Sequence, residues 1–304
     1  MPGTDRWIDL VDPDTAAVAA AVTTHLLPMD MERILRPAQI ERQSRPRLRA
    51  HGDYVFGVLV LPTIADDGDV TCHEINVVAT LDRLVTIRKT LPALETSDIS
   101  EFVATANRND LPAGECLYQL VDEIAERFLF VVDRFDDDID TLEDNVGTWP
   151  SEDVRRRISS IRHEILEVRR VLTPTRDAAR AVLDDRVEID GDITLFPRVI
   201  ELHFTDAYDK LLRATDGLDL ARDLLAGVRD FHQALVASDQ NEVMKRLTVI
   251  ASVLLVPTFI VGVYGQNLRG GPEFHWRHGY WFSWALIIAS TAAQLLYYRR
   301  KRWI

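Results

Sequence analysis

Leu247-Thr248-Val249-Ile250-Ala251-Ser252-Val253-Leu254-Leu255-Val256-Pro257-Thr258-Phe259-Ile260-Val261-Gly262-Val263-Tyr264-Gly265-Gln266-Asn267-Leu268 is a run of 22 residues without a charge. A helix of about 20 apolar residues, rising about 1.5 Å per residue, crosses a hydrocarbon core. The run therefore predicts a membrane-spanning helix. Residues 279–298 add 20 more uncharged positions and predict a second span. A short loop joins the two, entered through Gly265-Gln266-Asn267, so the pair reads as a hairpin through a bilayer.

Charge orients the hairpin. Lys245 and Arg246 precede the first span, and Arg299-Arg300-Lys301-Arg302 follow the second. The loop offers only Arg269 and Arg277, so cationic flanks predict both termini on the cytoplasmic side of the inner membrane. Tyr280, Trp281, Trp284 and Trp303 suit an aromatic belt. From Lys245 onward, eight basic residues against one acidic leave a net +7. The −13 of the whole 304-residue chain then puts −20 on residues 1–244. So acidic a soluble part argues against nucleic acid as a partner, while solubility and attraction of cations both fit. No cleavable signal is expected, because Asp5, Asp9, Asp12 and Asp14 interrupt the N-terminus.

Ahead of the spans the chain reads as an α/β cytoplasmic domain over 1–115 and a cytoplasmic helical hairpin with stalk helix over 116–245. Residues 246–304 form the two-helix pore domain and its basic tail. In the first part we expect strands at Trp7–Val11, Tyr54–Leu61, Ile75–Leu81 and Leu84–Arg88, and a helix at Thr15–Leu27. From Cys116, the spacing of Leu117, Leu120, Val121, Ile124, Phe128 and Val131 predicts a helix to about Asn145. Gly147-Thr148-Trp149-Pro150 breaks it, and Ser151-Glu152 suits a new start. A third helical pattern begins near Phe196 or Pro197 and meets no convincing breaker before the membrane. It predicts one helix of roughly 70 residues, about 100 Å long, as a stalk between a soluble body and a membrane pore would require.

Along the end of that helix runs a seam: Asp230, Ala234, Ala237, Asn241, Met244, Thr248, Ala251, Leu255, Thr258 and Gly262. Its steps alternate four and three, a heptad held across the membrane boundary. Small residues so spaced suit close helix packing. Asp230 and Asn241 do not suit a dry seam, and in a symmetric ring they would become circles of oxygen ligands, with Met244, Thr248 and Leu255 as constrictions. Oxygen ligands of this kind suit an ion that keeps its water, as Mg²⁺ does.

Other features carry less. Asp133, Asp136, Asp137, Asp138, Asp140, Glu143 and Asp144 put seven carboxylates within 12 positions, opposed inside the run only by Arg134. They read first as a solvated helix face and second as a cation concentrator. Glu273, beside the outer mouth, would draw cations. His275 and His278, three apart, fit a surface loop first and a soft-metal pair on one helical turn second, and His203 and His232 fit interfacial or exposed positions on the stalk. Cys72 and Cys116 have neither metal nor redox spacing. No nucleophile–base pair, phosphate loop or cofactor fingerprint is present, so catalysis and a resident cofactor have no support.

Asn241-Glu242-Val243-Met244-Lys245, Leu247-Thr248-Val249-Ile250, Pro257-Thr258-Phe259-Ile260 and Tyr264-Gly265-Gln266-Asn267 together resemble the CorA family of divalent-cation channels. Pro272-Glu273-Phe274 and the basic tail fit as well. More weakly, so do Trp7-Ile8-Asp9-Leu10, Arg45-Pro46 with Gly52-Asp53-Tyr54, and the region Asp133–Glu143. The resemblance implies a CorA-like funnel: a homopentamer in the bilayer, with Gly265, Gln266 and Asn267 as selectivity filter. It implies that Asn241, Met244, Leu247, Thr248, Leu255 and Thr258 line or gate the pore, with Asp230 in the vestibule. It also places Asp206 and Asp122 at regulatory divalent-cation sites. Two departures stand out. The family signature reads Gly-Met-Asn where this chain has Gln266. And Pro37-Ala38 stand where the family has an acidic pair, leaving Asp206 without that partner.

The expected function is Mg²⁺ uptake down the membrane potential, with Co²⁺ and Ni²⁺ as further cargo. Mg²⁺ here is cargo and a regulatory ion, not a cofactor. A Zn²⁺ transporter of the same superfamily is the first alternative, and a non-conducting membrane-anchored scaffold the second.

Overall fold

A computed structural model describes residues 5–37, 44–65, 68–90, 98–191, 193–265 and 277–303. The chain divides into two compact units, Met1–Arg229 and Asp230–Ile304.

The first unit is built on five strands: β1 (Trp7–Val11), β2 (Arg47–His51), β3 (Tyr54–Ile64), β4 (Val70–Ala79) and β5 (Leu84–Arg88). Their order is β1-β5-β4-β3-β2, with β1 parallel to β5 and the other neighbours antiparallel. β3 begins Tyr-Val-Phe-Gly-Val-Leu-Val-Leu and is buried along its first nine residues. Such a run fits a strand covered on both faces. On one face Tyr54, Phe56, Val58, Val78, Val85 and Ile87 pack with Val18, Ala21 and Val22 from α1 (Thr15–Ala21) and its C-cap, and with Ile34 of α2 (Pro28–Leu35). The alternate residues Val55, Leu59, Leu61, Ile75 and Val77 are equally buried and point the other way. There α4 (Ala113–Asn145) and α5 (Ser151–Leu183) pack on the sheet.

β1 is tied down by side chains as well as by its ladder. Arg88 Nη2 donates to Asp9 Oδ2 at 2.5 Å, Thr86 Oγ1 to Asp9 Oδ1 at 2.7 Å, and Trp7 Nε1 to Thr86 Oγ1 at 3.1 Å. On its outer edge Asn107, in α3 (Ser100–Arg108), acts as a further strand would. Its Nδ2 donates to the Trp7 carbonyl and its Oδ1 accepts from the Trp7 N–H, both at 2.8 Å. Asn107→Ala strands both groups, so it is expected to cost about 2 kcal/mol. The check is a lower denaturation midpoint followed by far-UV circular dichroism.

The sequence reading needs correction at several elements. The helix expected over Thr15–Leu27 ends at Ala21, where Val22 turns to extended backbone (φ −92°, ψ 127°). Val22-Thr23-Thr24 is a β-branched run that resists helix. A separate helix, α2, then starts at Pro28. β3 runs past its expected end to Ile64, and β4 starts at Val70, ahead of its expected start, but stops at Ala79, short of Leu81. The added length includes the cross-strand pair Thr63–Thr71, whose hydroxyls lie 2.8 Å apart. β2, α2 and α3 have no counterpart among the elements expected from the sequence.

Helix α6 (Arg198–Gly265) is continuous over 68 residues and keeps its helical backbone through Pro257. Its first part packs on α4 in the first unit: the 2.7 Å between the Val132 side chain and a Cβ built on Gly217 leaves no room for a larger residue. The second unit contains the rest of α6 and α7 (Gly279–Arg300). Tyr298 of α7 meets Ser252 of α6 at 2.6 Å, and Val249 and Ile260 are buried in the same unit. Among the described residues, α6 is the one helix long and apolar enough to cross a membrane by length and composition. In α7, Trp, Tyr, Ser, Thr and Gln dilute the aliphatic residues.

Candidate functional site

The seam lies on an open face of α6. Asp230, Asn241, Met244, Leu247, Thr248, Ala251, Leu255, Thr258 and Gly262 are all exposed, Leu255 as much as 70%. Over residues 241–265 of α6, the buried or half-buried positions are Val249, Ser252, Val253, Val256, Pro257, Ile260 and Tyr264. At 3.6 residues per turn these occupy the opposite side of the helix. The heptad of small and polar residues therefore falls on the side away from α7.

Its hydroxyls have a defined polarity. Thr248 Oγ1 donates to the Met244 carbonyl at 2.8 Å, and Thr258 Oγ1 to the Leu254 carbonyl at 2.7 Å. Each hydroxyl proton is thus committed to the helix backbone, one turn back. What remains is oxygen lone pairs, which accept hydrogen bonds from the water shell of a cation. Ser252 donates in the same way to the Thr248 carbonyl at 2.7 Å and sits 2.6 Å from the Tyr298 hydroxyl. This ties α7 to the helical turn that presents Thr248, a link with no periodic signature in the sequence.

Gly265 closes α6. Gln266, Asn267, Glu273 and His275 lie outside the described residues, and His278 is the N-cap residue of α7. Pro37 is described, and Ala38 is not.

The two regulatory candidates sit in the first unit. Asp206 lines a surface cleft with Tyr118, Asp209, Lys210, Leu212 and Arg213. Asp122 accepts a hydrogen bond from Lys210 Nζ at 2.7 Å. Among the described residues, no group of three His, Cys, Asp or Glu is arranged to hold a metal ion. His203 Nδ1 lies 3.1 Å from Glu115 Oε2 and its ring stacks at a tilt on Tyr118. His232 is buried, at 6% exposure, which corrects the expectation of an exposed or interfacial residue.

The acidic run on α4 is less solvated than its composition implies. Asp138 pairs with Arg134 at 3.2 Å and with Arg157 of α5 at 2.5 Å, and Arg134 reaches Glu164 of α5 at 2.6 Å. Cations from a second helix thus neutralise part of it. Partial burial, with Asp133, Asp140 and Asp137 nearby, raises the pKa of the Asp136 carboxyl. Burial pushes the thiols of Cys72 and Cys116 up to about 12, so both stay protonated at neutral pH and are poor metal ligands.

The family of CorA-like Mg²⁺ transporter proteins matches residues 4–300. The chain belongs to that family. CorA proteins are ion transporters, and membership makes this chain a divalent-cation transporter of the CorA type. Cobalt/magnesium transport protein CorA of Thermotoga maritima is 25% identical over 313 residues, covering 99% of this chain and 84% of that protein. Divalent cation transporter CmaX of Pseudomonas aeruginosa is 24% identical, over 87% of this chain and 78% of its own length. The complete structure of the CorA magnesium transporter from Methanocaldococcus jannaschii superimposes with a TM-score of 0.77. It covers 98% of this chain and 91% of that one at 20% identity, and so shares the CorA fold. That fold is an α/β domain followed by a long helix with an apolar end, as the sequence predicts.

Proposed function

We propose that the chain forms a homopentameric channel of the inner membrane that admits Mg²⁺ down the membrane potential, with both termini cytoplasmic and α6 and α7 as its two spans. The α6 seam lines the conduction path, and Gly265, Gln266 and Asn267 form the filter at its outer end. The observation that carries this reading is the seam itself. A face of small residues, amide and acceptor-only hydroxyls points away from α7, where a ring of copies would converge. A divalent ion entering gains about 4.6 kcal/mol per 100 mV, twice the single-charge value, so no nucleotide site is needed.

The test is ion uptake by proteoliposomes holding the purified protein, with Mg²⁺ and Zn²⁺ dyes inside and a potential imposed. Potential-driven Mg²⁺ entry blocked by hexaammine-cobalt, a mimic of hydrated Mg²⁺, is the expected result. Asn267→Ala is expected to lower that uptake at least about tenfold or to abolish its preference for Mg²⁺, as befits a ring of filter ligands.

Gln266 favours one second reading. It replaces the Met of the family signature, so Zn²⁺ entry without Mg²⁺ entry assigns the chain to zinc transport and Gln266 to selectivity. If neither ion moves, the hairpin is a scaffold.

A further inference from the structure

Asp122 and Glu126 lie one turn apart on α4, a spacing at which like charges repel. Between them sits the ammonium of Lys210 from α6, 2.7 Å from Asp122 Oδ1 and 2.7 Å from Glu126 Oε1. The contact is sheltered on one side: the Lys210 and Asp122 side chains are 20% and 25% exposed, while that of Glu126 is 54% exposed. Burial alone would lower the ammonium's pKa, but the hydrogen bonds to the two carboxylates and their charges outweigh it and hold the pKa above its ordinary value. Lys210 is the only lysine among residues 198–244. Ala207, Leu211 and Ala214 are buried around it, so packing fixes the helix that delivers the charge. The groups nearby are Tyr118, Asp206, Asp209 and Arg213, which line the adjoining cleft.

Two carboxylates completed by water make a common half-site for a hard divalent cation. Here the cation position is filled from within. An ammonium is a compact point charge, and its local concentration at this pair is set by the fold, not by the cytosol. We propose that Lys210 is a built-in counter-cation that occupies the Asp122–Glu126 site in place of a divalent ion, so that this pair does not respond to cytoplasmic Mg²⁺. The inference deepens the transporter reading and rests on it for its consequence, which is stalk packing at this level that is independent of the ion carried.

The test is thermal unfolding of the full chain, purified in detergent, in EDTA and across a titration of Mg²⁺ or Mn²⁺. Asp122→Asn is expected to lower Tm in EDTA by about 2–6 °C and to leave any divalent-induced rise as large as in the wild type. A smaller rise overturns the proposal. Lys210→Gln vacates the site and is expected to gain a saturable divalent-dependent rise of about 5 °C or more, removed again by adding Asp122→Asn. A folded Lys210→Gln protein without that gain also overturns it. If Lys210→Gln does not fold in EDTA, folding restored by Mn²⁺ but not by NaCl counts as the gain, and no restoration as its absence. Uptake by the proteoliposomes reports on transport separately, so loss of conduction leaves the titration standing.

Discussion

Ala251→Phe is expected to reduce potential-driven Mg²⁺ uptake at least about tenfold while leaving the protomer folded. Ala251 is exposed on α6 in the middle of the seam, one turn from Thr248 and from Leu255. It is exposed among the described residues, so a phenyl ring there costs the helix-propensity difference, about 0.5 kcal/mol. In a ring of copies the same substitution brings one phenyl per subunit to a common axis, and an apolar constriction stops ions by excluding their water. The control is Ile288→Phe, at a position 63% exposed on α7. It adds the same ring to the same hairpin away from the seam and is expected to leave uptake within about twofold. Both variants are compared at equal reconstituted amount, equal oligomer size by gel filtration and equal Tm. Wild-type uptake by Ala251→Phe would remove the seam from the pore wall and leave the filter to be sought elsewhere.

The long helices are legible because their signals are redundant. α4, α5 and α6 each repeat the apolar 3.6-residue pattern over many turns, and Gly147–Ser151 punctuates the first two with a turn and a helix start. The seam is legible for the same reason, since a heptad of small residues survives any error of a residue or two in the boundaries. The short elements are not. α2 has eight residues, begins at a proline, and buries Asp30 against His51 and Tyr54. A buried carboxylate inverts the pattern by which a helix face is recognised. α3 has few large apolar residues and is placed by the amide of Asn107 on the edge of β1, a contact across 100 positions. Lys210 is hidden for a related reason. The Asp122–Glu126 pair is visible one turn apart, and so is the solitary lysine, but joining them requires the register of α4 on α6. That register is set by steric detail such as Gly217 against Val132.

The largest loss of stability is expected where that register begins. Gly114 lies in the first turn of α4, and a Cβ there would fall 2.1 Å from the backbone oxygen of Leu195 and 3.2 Å from Ile200 Cδ1. The obstacle is main chain, so no rotamer change relieves it. The segment leading into α6 would have to move, although Leu195, Phe196 and Ile200 are themselves buried. Gly114→Ala is therefore expected to cost about 3 kcal/mol or more, at or beyond the upper end for overpacking, and Gly114→Val more still. On a unit of this size that is a fall in Tm of about 6–12 °C, or loss of accumulation in the cell. Gly147→Ala is the comparison, because nothing lies within 4 Å of a Cβ built there. It is expected to change stability by no more than about 0.5 kcal/mol. Similar Tm values for the two alanine variants would mean that the start of α6 can shift away from α4 at little cost. The clamp at Lys210, three turns further along the same helix, would then have to hold α4 and α6 in register without a fixed point behind it.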